Sequence, residues 1–65
     1  MNKGKIYRKS TLLNKCTTLG LTNVFLFYNR DEGWWLECDG YDGWIGMTSY
    51  AANKKIEEIS KENKN

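Results

Sequence analysis

The chain has 65 residues, a formal net charge of +2, 14% aromatic residues, two cysteines and no histidine. This length permits one domain, whose core contributes only about 3–5 kcal/mol of net stability. The lack of histidine excludes Cys₂His₂ zinc spacing and removes the usual general base near neutral pH. No window reaches the ~18 apolar residues of a membrane span, so we expect no membrane association through a helix.

Residues 1–9 form a basic N-terminal arm, which the pattern predicts as either a mobile arm or a short edge segment. Its only apolar pair is Ile6-Tyr7. No apolar run follows the charges, so a secretion signal is not expected. We therefore expect a cytoplasmic protein in which Cys16 and Cys38 are free thiols that act as small core hydrophobes.

The residue pattern from Ser10 to Gly20 predicts a short helix. Ser10 is a suitable N-cap, and Gly20 stands where a left-handed C-cap residue is wanted. Leu12, Cys16 and Leu19 recur at positions i, i+4 and i+7, which places them on one helical face.

Three antiparallel strands are predicted over 23–28, 34–38 and 44–47. The first is a β-branched and aromatic run, and turn chemistry in 29–33 and 39–43 separates it from the next two. Two Asp-Gly pairs mark the second turn.

A second helix is predicted over 50–60, because Ala52, Ile56 and Ile59 repeat at helical spacing. The fold class is therefore α+β, with a short helix, a three-stranded antiparallel sheet and a C-terminal helix. Both helices are expected on one face of the sheet. The single α-β-β-β-α domain spans 10–61 and is followed by a frayed tail over 62–65.

Side-chain alternation predicts which way the tryptophans point. A charged residue such as Glu37 is rarely buried, so its side of the strand is expected to face solvent. Trp35, two residues earlier, lies on the same side. Trp34, Leu36 and Cys38 then face the helices.

The third strand completes an outer apolar patch if Ile45 and Met47 point inward, because Trp44 then points outward. One aromatic set of the first strand joins that patch, and Phe25 and Phe27 are the candidates. Such a patch on a small protein typically marks a contact surface. Two alternatives stay open: Ile6 and Tyr7 fold across the patch, or a second copy covers it.

The sequence gives little support for a catalytic function. Five acidic residues surround the turns, but Asp-Gly there is ordinary turn chemistry. We predict no catalytic residue, metal site or small-molecule cofactor. The acidic residues are Asp31, Glu32, Glu37, Asp39 and Asp42.

A nucleic-acid-binding module is the alternative function. The order helix, three strands, helix is similar to double-stranded-RNA-binding domains. The segment 35–59 is similar to the three-stranded DNA-binding domains of plant transcription factors and to integrase arm-binding modules. These resemblances imply contacts from a basic surface, although the sheet region here has one arginine against five acids. The candidate contacts are Lys3, Lys5, Arg8, Lys9, Lys54 and Lys55.

The main hypothesis is a small non-enzymatic interaction module that binds a protein partner, or itself, through an aromatic sheet face. Abundant Lys, Asn and Ile without proline fits a bacterial or phage gene from an AT-rich genome. Small phage or mobile-element genes often encode accessory or inhibitor proteins, which is the kind of module expected here. The predicted partner-binding residues are Trp35, Trp44, Phe25 and Phe27.

Overall fold

The computed structural model describes residues 4–7 and 11–63. They form two helices and one antiparallel sheet with the strand order β1-β2-β3-β4, which confirms the α+β class. The elements are β1 (Lys5–Tyr7), α1 (Thr11–Thr18), β2 (Phe25–Asn29), β3 (Gly33–Cys38), β4 (Tyr41–Gly46) and α2 (Ser49–Asn63).

The sheet has four strands, so the three-stranded prediction is wrong. The extra strand, β1, comes from the predicted basic arm and pairs with β2, where Ile6 lies opposite Phe27. For residues 5–7 the edge-segment alternative is correct, because the apolar pair divides between the two faces and Tyr7 packs against the core. The mobile arm, and a cover of Ile6 and Tyr7 across the sheet, are wrong for these residues. Lys3, Arg8, Lys9 and the N-cap candidate Ser10 lie outside the described residues.

Helix α1 ends as its sequence predicts. Gly20 has φ 86°, a left-handed conformation that costs glycine little. Its amide donates to the Thr17 carbonyl at 3.1 Å, and the Leu21 amide donates to the Cys16 carbonyl at 3.0 Å. This pair of bonds is a Schellman motif, and it satisfies carbonyls that the helix end would otherwise leave open.

The β3–β4 turn is shorter than predicted. Cys38 pairs with Tyr41, so only Asp39 and Gly40 form the loop, and the second Asp-Gly pair belongs to β4. The Asp39 carboxylate accepts bonds from the Thr22 hydroxyl at 2.7 Å and from the Asn23 amide at 2.8 Å. The loop is therefore tied to the segment that enters β2.

Strand β4 contains an irregularity that changes the direction of Met47. Trp35 pairs with Trp44 but Trp34 pairs with Gly46, which leaves Ile45 as an extra, buried residue. β4 then ends at Gly46, so alternation no longer governs Met47, which is 51% exposed. The sequence predicts the outer patch if Ile45 and Met47 both point inward, and for this reason the structure meets that condition at Ile45 but not at Met47.

The core lies between the two helices and the inner face of the sheet. Leu26 and Leu36 are fully buried at its centre. Both predicted helical faces contribute to it, and α2 continues to Asn63, beyond its predicted end at residue 60. The buried apolar residues are Leu12, Cys16, Leu26, Leu36, Ile45, Ala52, Ile56 and Ile59.

Polar contacts fix the second helix against the first. The Thr48 hydroxyl caps α2 by accepting from the Ala51 amide at 3.1 Å. The Lys15 ammonium donates to the Asn53 side-chain oxygen at 2.7 Å and to the Glu57 carboxylate. The hydrogen bond and charge of Lys15 lower the pKa of Glu57.

Candidate functional site

A row of apolar side chains crosses the outer face of the sheet. Successive cross-strand partners are Ile6, Phe27, Trp35 and Trp44, one from each strand. Directly opposed side chains in a sheet lie ~4.5–5.5 Å apart at Cβ, so these four groups are neighbours. We call these four residues the outer aromatic row. Trp44 is 48% exposed and Ile6 is 38% exposed.

The structure brings together the four residues predicted to bind a partner. Leu36 is buried against the helices, so Trp35 lies on the opposite face of β3. In β2 the buried residue is Leu26, which puts Phe25 and Phe27 on the outer face, a choice that the sequence left open. Partner binding by these residues stays a prediction.

Two hydrogen bonds hold Trp44 in place. Its indole Nε1–H donates to the Glu32 carbonyl, and its own carbonyl accepts from the Tyr41 hydroxyl at 2.7 Å. The Trp35 Nε1–H, in contrast, is buried without a hydrogen-bond partner among residues 4–7 and 11–63, which costs about 1–3 kcal/mol. The row therefore combines one anchored indole with one whose polar atom is unsatisfied.

The outer face also contains a concavity of about 350 Å³, which we call the turn pocket. It is lined by two tryptophans, one methionine and two acidic residues. The sequence missed this site because the acids looked like turn residues and Met47 was assigned inward. The lining residues are Asp31, Glu32, Trp35, Trp44 and Met47.

Asn29 shapes the turn that supplies the two carboxylates. Its side-chain oxygen accepts from the Asp31 amide at 3.0 Å and from the Glu32 amide at 2.7 Å. This is the local bonding for which asparagine is favoured in turns. Within the part of the chain that the structure describes, neither the Asp31 nor the Glu32 side chain forms an ion pair.

A larger concavity of about 760 Å³ lies where both helices begin, over the inner face of the sheet. Trp34 and Tyr7 form part of its wall. Their ring centroids are 5.2 Å apart, and that of Tyr28 is 4.8 Å from Trp34. These rings already pack against each other and against the core, so their position is explained by stability.

The basic residues of the alternative function lie on separate elements. Lys5 is on the edge strand β1, and its backbone partner is Tyr28. On α2, the Lys54 ammonium is 5.4 Å from the centroid of the Tyr50 ring, and Lys55 lies 3.9 Å from the Glu58 carboxylate. Among the described residues, two of these lysines thus have local partners on their own helix.

Both cysteines are free. Burial, together with the nearby Cys38, raises the pKa of the Cys16 thiol to about 11, and burial followed by the charge of Asp39 raises the pKa of Cys38. Raised pKa values disfavour the reactive thiolate. Over residues 4–7 and 11–63, no group of three or more histidine, cysteine or acidic side chains is suited to a metal ion.

Comparison with protein-family models, curated proteins and solved structures gives no match. No helix in the described ranges is both long and apolar enough to cross a membrane.

Proposed function

We propose that this chain is a non-enzymatic interaction module that binds a protein partner through the outer aromatic row and the neighbouring Phe25. The observation that carries the proposal is the continuity of the row over all four strands, with Trp44 and Phe25 each about half exposed at 48% and 49%. Tryptophan anchors commonly dominate the energetics of protein interfaces.

The charges around the row favour a protein over a nucleic acid on this face. On one side of the row, the next set of cross-strand partners is Phe25, Glu37 and Asp42. This set contains one aromatic ring and two carboxylates. On the other side of the row, the turn pocket adds Asp31 and Glu32. Carboxylates on both sides repel a phosphate backbone, whereas they tolerate or attract a basic protein surface.

A capture experiment with matched variants tests the proposal. The immobilised chain is exposed to a lysate of the organism that encodes it, as wild type, Trp44→Ala, Phe25→Ala and Tyr50→Ala. Tyr50 is the control because it is 73% exposed but lies on α2, away from the outer face. We expect a captured protein to be lost with the first two variants and kept with the third.

Thermal unfolding of each variant and the sedimentation of the free chain complete the test. All three variants should remain folded, because each ring is about half exposed or more. Retention of the captured protein by folded Trp44→Ala contradicts the proposal. A wild-type dimer that Trp44→Ala converts to a monomer instead identifies a second copy as the partner.

A further inference from the structure

We infer that the turn pocket receives an arginine side chain of the partner. This inference rests on the proposed function and specifies the chemistry of one contact. The pocket is lined by Trp35 and Trp44 together with Asp31 and Glu32, in a space of about 350 Å³. A planar cation can contact both kinds of group at once.

The indoles supply faces on which a cation can stack. Trp is the best cation–π partner among the aromatic side chains, and arginine is the cation that uses it most. The bond from the Trp44 Nε1–H to the Glu32 carbonyl fixes the angle of this ring relative to the turn. The wall of the pocket is therefore formed before any partner arrives, which lowers the entropy lost on binding.

The carboxylates supply the charge. Asn29 holds the backbone of Asp31 and Glu32 through two hydrogen bonds, and neither carboxylate is neutralised by a lysine or arginine in the described part of the chain. The pocket is thus negative as well as aromatic. A neutral or anionic group would leave both carboxylates without compensation.

Arginine fits this combination better than lysine. Its guanidinium is planar, stacks on an aromatic face and presents a rigid fork of donors that matches a carboxylate. Lysine offers a compact, strongly hydrated charge that makes only the electrostatic part of the contact. Met47 at the rim adds a polarisable thioether that can follow the shape of the side chain.

NMR of the indole N–H groups tests the inference with a defined probe. The full ¹⁵N-labelled chain is titrated with N-acetyl-arginine methylamide, and with the lysine and citrulline analogues. The chain has three tryptophans, so the spectrum contains three indole signals. We expect arginine to shift the Trp35 and Trp44 signals saturably. Trp34 lies on the other face and serves as the internal reference.

The double variant Asp31→Asn, Glu32→Gln removes the charge with little change of shape. Both backbone amides bonded to Asn29 and the Glu32 carbonyl bonded to Trp44 are retained, so the turn should keep its form. We expect arginine affinity to fall about fivefold, in line with the modest value of exposed charge pairs. Glu62→Gln, an exposed acid on α2, is the matched control and should bind as the wild type does.

Three outcomes overturn the inference: no saturable shift, equal affinity for the lysine or citrulline analogue, or unchanged affinity in the double variant. These outcomes leave the capture experiment untouched, because the outer aromatic row can bind a partner without this contact. If capture is independent of Trp44 while arginine still binds, the proposed function fails and the pocket chemistry stands.

Discussion

The two faces of the sheet contain similar aromatic residues but place them in different surroundings. On the inner face, Tyr7, Tyr28 and Trp34 pack ring against ring, and two of them contact the core beneath the helices. On the outer face, Trp35 and Trp44 are cross-strand neighbours, and the core with the two described helices lies on the other face. The adjacent residues Trp34 and Trp35 of one strand thus lie in different surroundings.

The same contrast describes the layers of this small α+β domain. The two described helices pack on one face of a four-stranded sheet, and the strands also carry large apolar residues on the other face. Substitutions on the inner face should therefore reduce stability, whereas substitutions on the outer face should reduce binding.

The largest expected difference is between Leu36→Ala and Phe25→Ala. Leu36 is fully buried, and removal of a buried leucine costs about 2–5 kcal/mol. That is comparable to the whole ~3–5 kcal/mol expected of a core this small, so this variant should be largely unfolded. Phe25 is 49% exposed, and its loss should cost about 1 kcal/mol or less.

Urea unfolding followed by far-UV circular dichroism measures both variants. A Leu36→Ala variant that unfolds at the wild-type midpoint would contradict the position of the core. A Phe25→Ala variant that is unfolded would show that the outer face stabilises the monomer.

A smaller difference is expected between Trp34→Ala and Trp44→Ala. Trp34 loses its contacts with Tyr7 and Tyr28, and we expect a loss of about 2 kcal/mol, roughly half the value for a fully buried ring. Trp44 loses one exposed hydrogen bond and cross-strand contacts, which together contribute about 1 kcal/mol. The same urea experiment measures the loss of stability in both variants. A larger loss for Trp44→Ala than for Trp34→Ala would contradict the view that the inner-face rings stabilise the fold more than the outer-face rings.

The last prediction concerns the rates at which the two cysteines are alkylated. These rates depend on how well the helices bury Cys16. The pKa of Cys16 is about 11 against an ordinary 9.0, so at pH 8 about 100-fold less thiolate forms than in the unfolded chain. Iodoacetamide should modify half-buried Cys38 before Cys16, and both rates should rise with pH because the thiolate is the nucleophile. Peptide mass spectrometry after timed labelling measures the order. Labelling of Cys16 first, in the folded chain, would mean that α1 opens.

Much of this arrangement could be predicted from local patterns. Helical spacing identified the buried faces of α1 and α2, and the polarity of Glu37 gave the direction of Trp35. The same logic left residues 1–9 open between a mobile arm and an edge segment, because a three-residue strand is stabilised by its pairing with β2 and has no periodic signal of its own. It also failed at Met47, since alternation does not survive the irregularity at Ile45.

The turn pocket was hidden for a related reason. Asp31, Glu32 and Trp35 are close in sequence, but Trp44 is 12 residues after Glu32, and the pairing of β3 with β4 brings it beside the turn. A residue such as Asp31 is typical of a turn whether or not tryptophan side chains lie next to it in the fold.

The Tyr41 side chain has a consequence for how this sheet can grow. β4 is the last strand of the sheet, and the phenol lies over Gly43, where a Cβ would be 3.3 Å from the hydroxyl oxygen, and reaches the Trp44 carbonyl. A further strand that pairs with β4 would need a free backbone acceptor at Trp44. The Tyr41 hydroxyl already bonds to that carbonyl. The Tyr41 side chain thereby hinders the addition of a further strand along β4.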